Sequence, residues 1–299
     1  MIMIEKLYPV CKDYLWGGQK LKTKYRKQSD ADICAESWEL SFHNDGPTHL
    51  KDGRALRDVV TPADLGEKAS GFPFFPMLIK WIDAKDNLSV QVHPSDDYAL
   101  KYENSFGKTE AWYIVEAEEG AGIYLGFNRD VTQEEVETAI RENTILSLLN
   151  FYEVKKGECY FIPSGTLHAI GKGCLICEVQ QNSNLTYRVY DYDRRDKNGN
   201  PRELHVEKAL KVMDLRQYTP HTFGGDTVAS CSYFTLEEHS VDGTHSLLMD
   251  GDTFYCVIAV SGDGEINGQP LKAGDSYFIS ANEQDVCISG NLKILVAHL

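Results

Sequence analysis

The sequence predicts a mainly β protein, built from two jelly-roll barrels in tandem with a few short helices. Three observations support this fold class. Short runs rich in Val, Ile, Tyr and Phe alternate with Gly, Pro, Asn and Asp, helical patterns are few, and a strand–turn–strand unit occurs twice. Because an internal repeat indicates a repeated architecture, we expect two similar barrels.

The predicted strands are short β-branched and aromatic runs bounded by turn-forming residues. Cys174 and Cys177 form a CxxC within one of these runs. No second cysteine pair accompanies them to complete a zinc site, so we expect ordinary buried thiols. In chain order the runs are SWELSF, MLIKWIDA, LSVQVH, AWYIVEA, CYFIP, CLICEV, YFTLEEHSV, FYCVIAV, SYFISA and LKILVA.

Three segments have helical patterns. DVTQEEVETAI (130–140) carries Thr132 and Glu135 at the spacing of a capping box, followed by apolar residues on one face. RELHVEKALKVMDL (202–215) has apolar residues at helical spacing. SDDYALKY, after Pro94, predicts a short helix that starts at Ser95.

The internal repeat consists of two pairs of similar segments. KKGECYFIPSG (155–165) resembles KAGDSYFISAN (272–282), and WYIVEAEEGAG (112–122) resembles FYCVIAVSGDG (254–264). The first copy is the longer one because it contains a helical insertion near residues 131–149. Each copy therefore predicts the same strand–turn–strand unit.

The motif G-D/E-x-Y-F-I-P, followed five residues later by histidine, resembles the second motif of the cupin barrel. This resemblance implies two cupin-type jelly-roll barrels. We expect residues 1–220 to form a catalytic, metal-binding cupin domain that includes the helical insertion. Residues 221–299 are expected to form a second, degenerate cupin domain without metal ligands.

The first copy of the repeat contains several side chains of the types that bind metal ions. Ser89, Gln91 and His93 share one face of a strand, Glu110 begins the next strand, and His168 follows IPSG. Imidazole nitrogens and a carboxylate suit a borderline divalent ion with open positions for substrate or water. Gln91 could supply a fourth oxygen. A lone histidine at a strand end is more often structural, but two histidines and a glutamate in a cupin-like unit favour a metal site.

The second copy lacks this set. Aligning the repeats puts Asp252 opposite Glu110 and Asp285 opposite His168, and no pair of histidines remains. The second barrel is therefore expected to be structural.

Composition restricts the partners and the compartment. The chain has 299 residues, a formal net charge of -15 and a pI near 5.0, which argues against nucleic-acid and anionic-membrane partners. The segment MIMIEKLYPVCKDY lacks a basic region followed by a long apolar core, so we expect no signal peptide. The apolar run FPFFPMLI is broken by prolines and is too short to span a bilayer. Eight cysteines without a secretion signal indicate reduced thiols and a cytoplasmic location. No oligomeric partner is indicated.

A family resemblance covers nearly the whole chain. In this order, LSVQVHPSDDYA, GKTEAWYIVEA, IPSGTLHAIG and CEVQQNSNLTYRVYDYDR resemble the short bacterial form of type I mannose-6-phosphate isomerase, as do YLWGG, AESWELS and LHVEKAL. The resemblance implies a cupin enzyme with one Zn²⁺ per chain. It also implies a small-molecule substrate, because this family interconverts mannose 6-phosphate and fructose 6-phosphate.

The resemblance also implies site residues. The metal ligands of the family fall on Gln91, His93, Glu110 and His168. Its active-site arginine falls on Arg188, in NLTYRVYDYDR, and the lysine of its GK-x-E motif falls on Lys108.

Isomerisation of an aldose to a ketose needs an enediol or enediolate intermediate and a proton carrier. Arg188 could hold the enediolate or the phosphate without giving up its own proton. The candidate proton carriers are Glu178, Lys108 and a water held by the metal; a solvated or structural side chain is the alternative for each residue. Lys108 and Ser89 could contact substrate. We interpret DRRDKNGNPR (193–202) as a solvated hairpin turn.

Two other functions use similar residues. One is a different cupin enzyme, such as an iron-dependent dioxygenase, which usually has a third histidine where Gln91 stands. The other is a non-catalytic sugar-binding cupin, and the presence of Arg188 argues against it.

Overall fold

The structure is a computed structural model that describes residues 4–195 and 198–299. Strands dominate, as the sequence predicts, and every predicted run overlaps one of them. Numbered in chain order, the strands are β1 (Ile4–Lys6), β2 (Val10–Lys12), β3 (Glu36–Leu40), β4 (Met77–Asp83), β5 (Val90–Val92), β6 (Glu110–Ala117), β7 (Gly122–Phe127), β8 (Leu149–Glu153), β9 (Cys159–Ile162), β10 (His168–Ile170), β11 (Cys174–Gln181), β12 (Tyr187–Tyr190), β13 (Thr227–Ser230), β14 (Thr235–Leu248), β15 (Tyr255–Ile266), β16 (Gln269–Lys272), β17 (Ser276–Ile279) and β18 (Asp285–His298).

The helices are short. They are α1 (Lys20–Thr23), α2 (Pro62–Leu65), α3 (Asp96–Tyr102), α4 (Gln133–Arg141) and α5 (Val206–Leu210), with 3₁₀ turns at Leu56–Asp58, Glu67–Gly71 and Ile145–Leu148. No helix in the described part of the chain is long and apolar enough to cross a membrane.

Two of the three predicted helices form as expected. The capping box before α4 is complete: the amide of Glu135 donates to Thr132 Oγ1 at 3.2 Å, and the amide of Thr132 donates to Glu135 Oε2 at 2.8 Å. Ser95 precedes α3, although its hydroxyl makes no capping bond.

The helix predicted over 202–215 is much shorter than expected, since only Val206–Leu210 is helical. The backbone on its N-terminal side bonds to β12 instead. The amide of His205 donates to the carbonyl of Arg188 at 2.7 Å, and the carbonyl of Glu203 accepts from the Arg188 guanidinium at 3.0 Å. These tertiary bonds replace the first turns of the predicted helix.

The backbone groups into two compact units. The described residues of one unit are 4–13, 19–81 and 222–299, and those of the other are 14–18 and 82–221. These units are defined by spatial proximity, whereas the domains predicted at 1–220 and 221–299 are defined by repeats and function. The domain assignment therefore stays a prediction.

The unit that contains residues 82–221 has a five-stranded sheet in the order β12-β5-β10-β7-β8. In a second layer, β6 pairs antiparallel with β11 on one side and β9 on the other. One face of β5 is apolar: Val90 and Val92 are fully buried in a core with Ala169 of β10 and Val136 of α4. The opposite face of β5 carries Gln91, so a polar face looks toward the inside of this unit.

The other unit contains the second copy of the repeat, in a sheet with the order β1-β17-β15-β18-β14-β13. Both copies use the same turn, because Gly157 and Gly274 stand at the same position of the motif with φ of +94° and +92°. Only glycine adopts this conformation without strain. The repeat read from the sequence is therefore also a repeat of backbone conformation.

Strand pairing corrects one detail of the repeat alignment. In the first copy Glu110 pairs with Ile162, and in the second Tyr255 pairs with Ile279. Ile162 and Ile279 are equivalent in the Y-F-I motif, so Tyr255 and not Asp252 stands at the position of Glu110. Residue similarity aligned these strands three residues out of register, and only the pairing with the Y-F-I strand fixes which residues are equivalent.

Candidate active site

A row of three side chains crosses the five-stranded sheet. Arg188 on β12 and His168 on β10 both pair directly with Gln91 on β5. Directly paired residues of antiparallel strands point to the same side of the sheet. Arg188, Gln91 and His168 are therefore neighbours on the inner face, opposite the core formed by Val90 and Val92.

The second layer supplies a carboxylate that faces this row. Oε1 of Glu110, at the start of β6, lies 3.3 Å from Nε2 of His168, and its Oε2 lies 3.7 Å from Nε2 of His93. All three side chains are at most 1% exposed. Their ligand atoms lie within 4.8 Å of one another, and no other group of this kind occurs in residues 4–195 and 198–299.

Backbone carbonyls determine which ring nitrogens point into the cluster. Nδ1 of His93 lies 2.8 Å from the carbonyl oxygen of Leu185, and Nδ1 of His168 lies 2.8 Å from that of Thr166. A carbonyl can only accept, so both Nδ1 atoms carry the proton and both Nε2 atoms of the neutral rings present a lone pair. Histidine ligands of metals usually donate their other ring N–H to a carbonyl or carboxylate in this way.

His168 has the protonation state that ligation needs. Burial lowers its pKa to about 3, and the nearby Lys108 ammonium acts in the same direction. Its Nε2 is buried and makes no hydrogen bond to any described residue. A neutral imidazole with an unused lone pair next to a carboxylate fits a divalent cation.

Lys108 is buried among these groups, and not on the surface. Its Nζ lies 2.5 Å from Oε2 of Glu110, 3.3 Å from Nε2 of His93 and 3.5 Å from Oε1 of Glu178. The residue is only 5% exposed. A cationic nitrogen and two carboxylates therefore meet in one buried space.

Glu178 lies on β11, beside Trp112 of β6. Its Oε2 accepts a hydrogen bond of 2.8 Å from the indole nitrogen of Trp112, and the residue is 3% exposed. The same indole ring packs edge-on against His168, with ring centroids 5.2 Å apart. Trp112 thus fixes the position of Glu178 relative to the histidines, a role that the sequence did not indicate.

The Arg188 side chain is held by two fixed oxygens. Its Nε donates to Ser89 Oγ at 3.1 Å and one terminal nitrogen donates to the carbonyl of Glu203 at 3.0 Å. Burial lowers the pKa of Arg188, and the positive charges of Arg202 and Arg194 act in the same direction. The guanidinium groups of Arg202 and Arg194 therefore lie near Arg188, together with the carboxylates of Asp191 and Glu203.

Arg194 and Arg202 owe their positions to Asp191. Nε of Arg202 donates to Oδ2 of Asp191 at 2.7 Å, and a terminal nitrogen of each arginine lies 2.5 Å from Oδ1. The chain reverses just before Arg194 through two non-glycine residues with positive φ, Tyr192 at 56° and Asp193 at 53°. Two such residues in succession are strained, and they turn Arg194 back toward Asp191.

These arginines correct part of the interpretation of 193–202. Arg195 and Pro201 pair as expected for a hairpin, while Asp196 and Lys197 lie outside the described residues. Arg194 and Arg202, however, are not simply solvated, because the Asp191 carboxyl that they share is 6% exposed. The alternation of acidic and basic residues in this segment was the only sequence signal for these ion pairs, and it does not show which residues pair.

The segment that carries Lys108 is tied to β11. The side-chain oxygen of Gln181 accepts from the amide of Thr109 at 2.8 Å, and its nitrogen donates to Asp96 at 3.0 Å. Asp96 in turn accepts from the amide of Gly107 at 2.7 Å. Both sides of Lys108 are therefore fixed by hydrogen bonds before any ligand arrives.

The structure thus brings together the side chains named from the sequence. Gln91, whose role as a fourth ligand stays a prediction, lies between Arg188 and His168 and is partly exposed. Ser89 is buried, and its hydroxyl accepts a hydrogen bond from Arg188. Its role as a phosphate ligand also stays a prediction.

Two family models match the chain: phosphomannose isomerase type I, catalytic domain, over residues 4–144, and mannose-6-phosphate isomerase, cupin domain, over residues 225–299. Mannose-6-phosphate isomerase ManA of Bacillus subtilis (strain 168) is 35% identical in an alignment 311 positions long that covers 97% of each chain. The chain belongs to the type I mannose-6-phosphate isomerase family.

Two further relatives agree with this family membership. The mannose-6-phosphate isomerase of Streptococcus mutans serotype c is 34% identical in an alignment 302 positions long that covers 95% of this chain and 94% of the relative. The crystal structure of the mannose 6-phosphate isomerase from Bacillus subtilis superimposes with a TM-score of 0.89 at 32% identity and covers 100% of both chains. This type I isomerase is accordingly an enzyme, an aldose–ketose isomerase, and its fold is the predicted cupin fold.

Proposed function

We propose that the enzyme interconverts mannose 6-phosphate and fructose 6-phosphate through an enediol or enediolate, with one Zn²⁺ per chain held by His93, Glu110 and His168. The observation that carries this proposal is the convergence of two Nε2 lone pairs and a buried carboxylate within 4.8 Å. Two imidazoles and one carboxylate are a common zinc ligand set, and Gln91 is the candidate for an additional oxygen.

A bound zinc ion would act as a Lewis acid that polarises the substrate oxygens at C1 and C2. The protein groups around it would then have three tasks: to move a proton between the two carbons, to hold the reacting end, and to hold the phosphate. Each task has a candidate in the described site.

Lys108 and Glu178 are the candidates for moving the proton. Both are buried, and their charged atoms lie 3.5 Å apart. A proton carrier must be rigidly placed and shielded from water, and positioned groups of this kind contribute about 10²–10⁴-fold in rate. The Trp112 bond to one oxygen of Glu178 leaves the other oxygen directed toward Lys108.

Arg188 is the candidate for the anionic parts of the substrate. It is fixed by Ser89 and Glu203 and lies in the same row as His168. We propose that Arg188, with Arg194 and Arg202 nearby, attracts the phosphate, and that the Ser89 hydroxyl contributes to its recognition. A local group of arginines would allow a chain with a net charge of -15 to bind an anion.

We also propose a cytoplasmic location. None of the eight cysteines forms a disulfide. Reduced thiols in this number suit a reducing compartment.

The test is a coupled assay of purified enzyme with mannose 6-phosphate, before and after chelation, with the metal content determined on the same sample. We expect activity to disappear with the metal and to return with added Zn²⁺. Conversion that is unaffected by complete removal of metal would contradict the proposed zinc dependence, and bound zinc without conversion would contradict the proposed reaction.

A further inference from the structure

Gln180 is a completely buried polar residue for which the mechanism above has no use. It lies on β11, is 0% exposed and pairs directly with Glu110 of β6. Its side chain is therefore on the same face as those of Glu110 and Glu178. Gln180 borders the candidate site on the inner face of the second layer.

Hydrogen bonds fix the orientation of its amide group. The side-chain nitrogen donates to the carbonyl oxygens of Gln181 and Ser183, both at 2.7 Å. Only the NH₂ group can face two carbonyls, because the amide oxygen cannot donate. The side-chain oxygen must therefore point the other way.

That oxygen is an acceptor without a donor. Oε1 of Gln180 is buried and makes no hydrogen bond to any residue in the described chain. Buried polar atoms are nearly always hydrogen-bonded, and leaving one unsatisfied costs about 1–3 kcal/mol. An acceptor held in this way, next to Glu110, indicates that a donor comes from a ligand.

We propose that Oε1 of Gln180 accepts a hydrogen bond from a non-reacting hydroxyl of the substrate, at C3, C4 or C5 of the sugar phosphate. The inference rests on the proposed location of the reaction in this site. A phosphate dianion has no proton to donate, and the oxygens at C1 and C2 change their bonding during the reaction. The hydroxyls between C2 and the phosphate are the donors that remain.

Such an acceptor has a consequence for specificity. A site built to bond a hydroxyl discriminates against an analogue that lacks it, because the buried acceptor is then left unpaired. Gln180 would therefore distinguish a sugar phosphate from its deoxy analogue more than it would increase the affinity for the phosphate group.

The experiment compares kcat/KM for mannose 6-phosphate with kcat/KM for its 3-deoxy, 4-deoxy and 5-deoxy analogues. For the wild-type enzyme we expect the analogue without the bonded hydroxyl to be about tenfold poorer, the size expected for one unsatisfied acceptor. For Gln180→Met this ratio should fall to about one. Damage to folding lowers both activities together, so it does not change the ratio.

Gln133→Met is the matched control, because the Gln133 amide lies on the exposed side of α4 and contacts only Glu137 in the described chain. It should keep the wild-type ratios. Wild-type enzyme that accepts all three analogues as well as mannose 6-phosphate would overturn the inference without any variant. Equal ratios in wild-type and Gln180→Met enzyme would overturn it as well. Absence of wild-type conversion would instead contradict the proposed function.

Discussion

The indole nitrogen of Trp112 donates to Oε2 of Glu178 across 2.8 Å, and the same ring packs against His168. One side chain thus links a candidate proton carrier to a candidate metal ligand. Trp112→Phe would keep most of the ring contact but remove the N–H donor. We expect kcat to fall about tenfold, because Glu178 loses one of the bonds that orient it.

The metal content of Trp112→Phe should stay at the wild-type level, and kcat, KM and zinc stoichiometry measured on one preparation check this. A loss of zinc together with kcat would show that the ring supports His168 more than Glu178. An unchanged kcat would mean that the indole N–H does not matter for the reaction.

Alanine at any member of the metal cluster should abolish binding of the ion. His93→Ala, Glu110→Ala and His168→Ala each remove one of the three proposed ligands. This is a larger change than the loss of a hydrogen-bond partner of a ligand, which weakens metal binding about 10–100-fold. Zinc stoichiometry and competition with a chelator are the measurements. His245→Ala, a substitution on β14 in the other unit, should retain zinc; full zinc occupancy in all three cluster variants would contradict the assignment.

Arg188→Lys should weaken substrate binding although it keeps the charge. Lysine cannot reproduce the two bonds from the guanidinium to Ser89 and Glu203. We expect kcat/KM for mannose 6-phosphate to fall about 10–100-fold, and inhibition by inorganic phosphate to weaken in parallel. Arg216→Lys is the control, since Arg216 is exposed and pairs only with Asp214 in the described chain.

Asp191→Asn should reveal a pH-dependent contribution to stability. Burial alone would raise the pKa of Asp191, but Arg202 and Arg194 outweigh burial and hold it below the usual value. The unfolded chain therefore takes up this proton first as pH falls, and the stabilising pairs are complete above about pH 4. We expect the variant to be less stable by about 2 kcal/mol at pH 7.

Thermal or urea unfolding of wild-type and Asp191→Asn protein from pH 8 to pH 3 measures this difference. It should be constant down to about pH 5 and shrink below pH 4, as Asp191 becomes protonated in the wild type. A difference that grows toward low pH would have the wrong sign for a lowered pKa.

Thr132→Ala should affect stability and not catalysis. Thr132 caps α4 through Glu135, remote in sequence from the site residues. Loss of a capping hydroxyl costs about 1 kcal/mol. Urea unfolding should show this loss while kcat/KM stays unchanged, and Thr132→Ser, which keeps the hydroxyl, should restore stability.

The sequence predicted the fold well because its signals are local. The Y-F-I repeat and the turn glycines Gly157 and Gly274 specify the same turn twice, and the alternation around Gln91 specifies a polar face opposite Val90 and Val92. The shorter helix at Val206–Leu210 could not be foreseen, because bonds to β12 compete with the helical pattern.

The sequence named the side chains that meet at the candidate site, whose roles stay predictions, but not their arrangement. The motif G-K-x-E names Lys108 and Glu110 but does not show that Lys108 is buried between two carboxylates. Gln180 gave no signal beyond sharing a strand face with Glu178. Its importance depends on where its amide oxygen points, and only the carbonyls of Gln181 and Ser183 determine that.

The row Arg188–Gln91–His168 has a consequence for biosynthesis. Its middle strand, β5, has 3 residues and is made first, whereas both of its partners lie far downstream. So short a strand has little stability until its neighbours pair with it. A chain still on the ribosome therefore cannot assemble this row before residue 188 has emerged. The last of the three proposed metal ligands, His168, is made earlier, so the proposed anion-binding end of the row is the last part of the site to be completed.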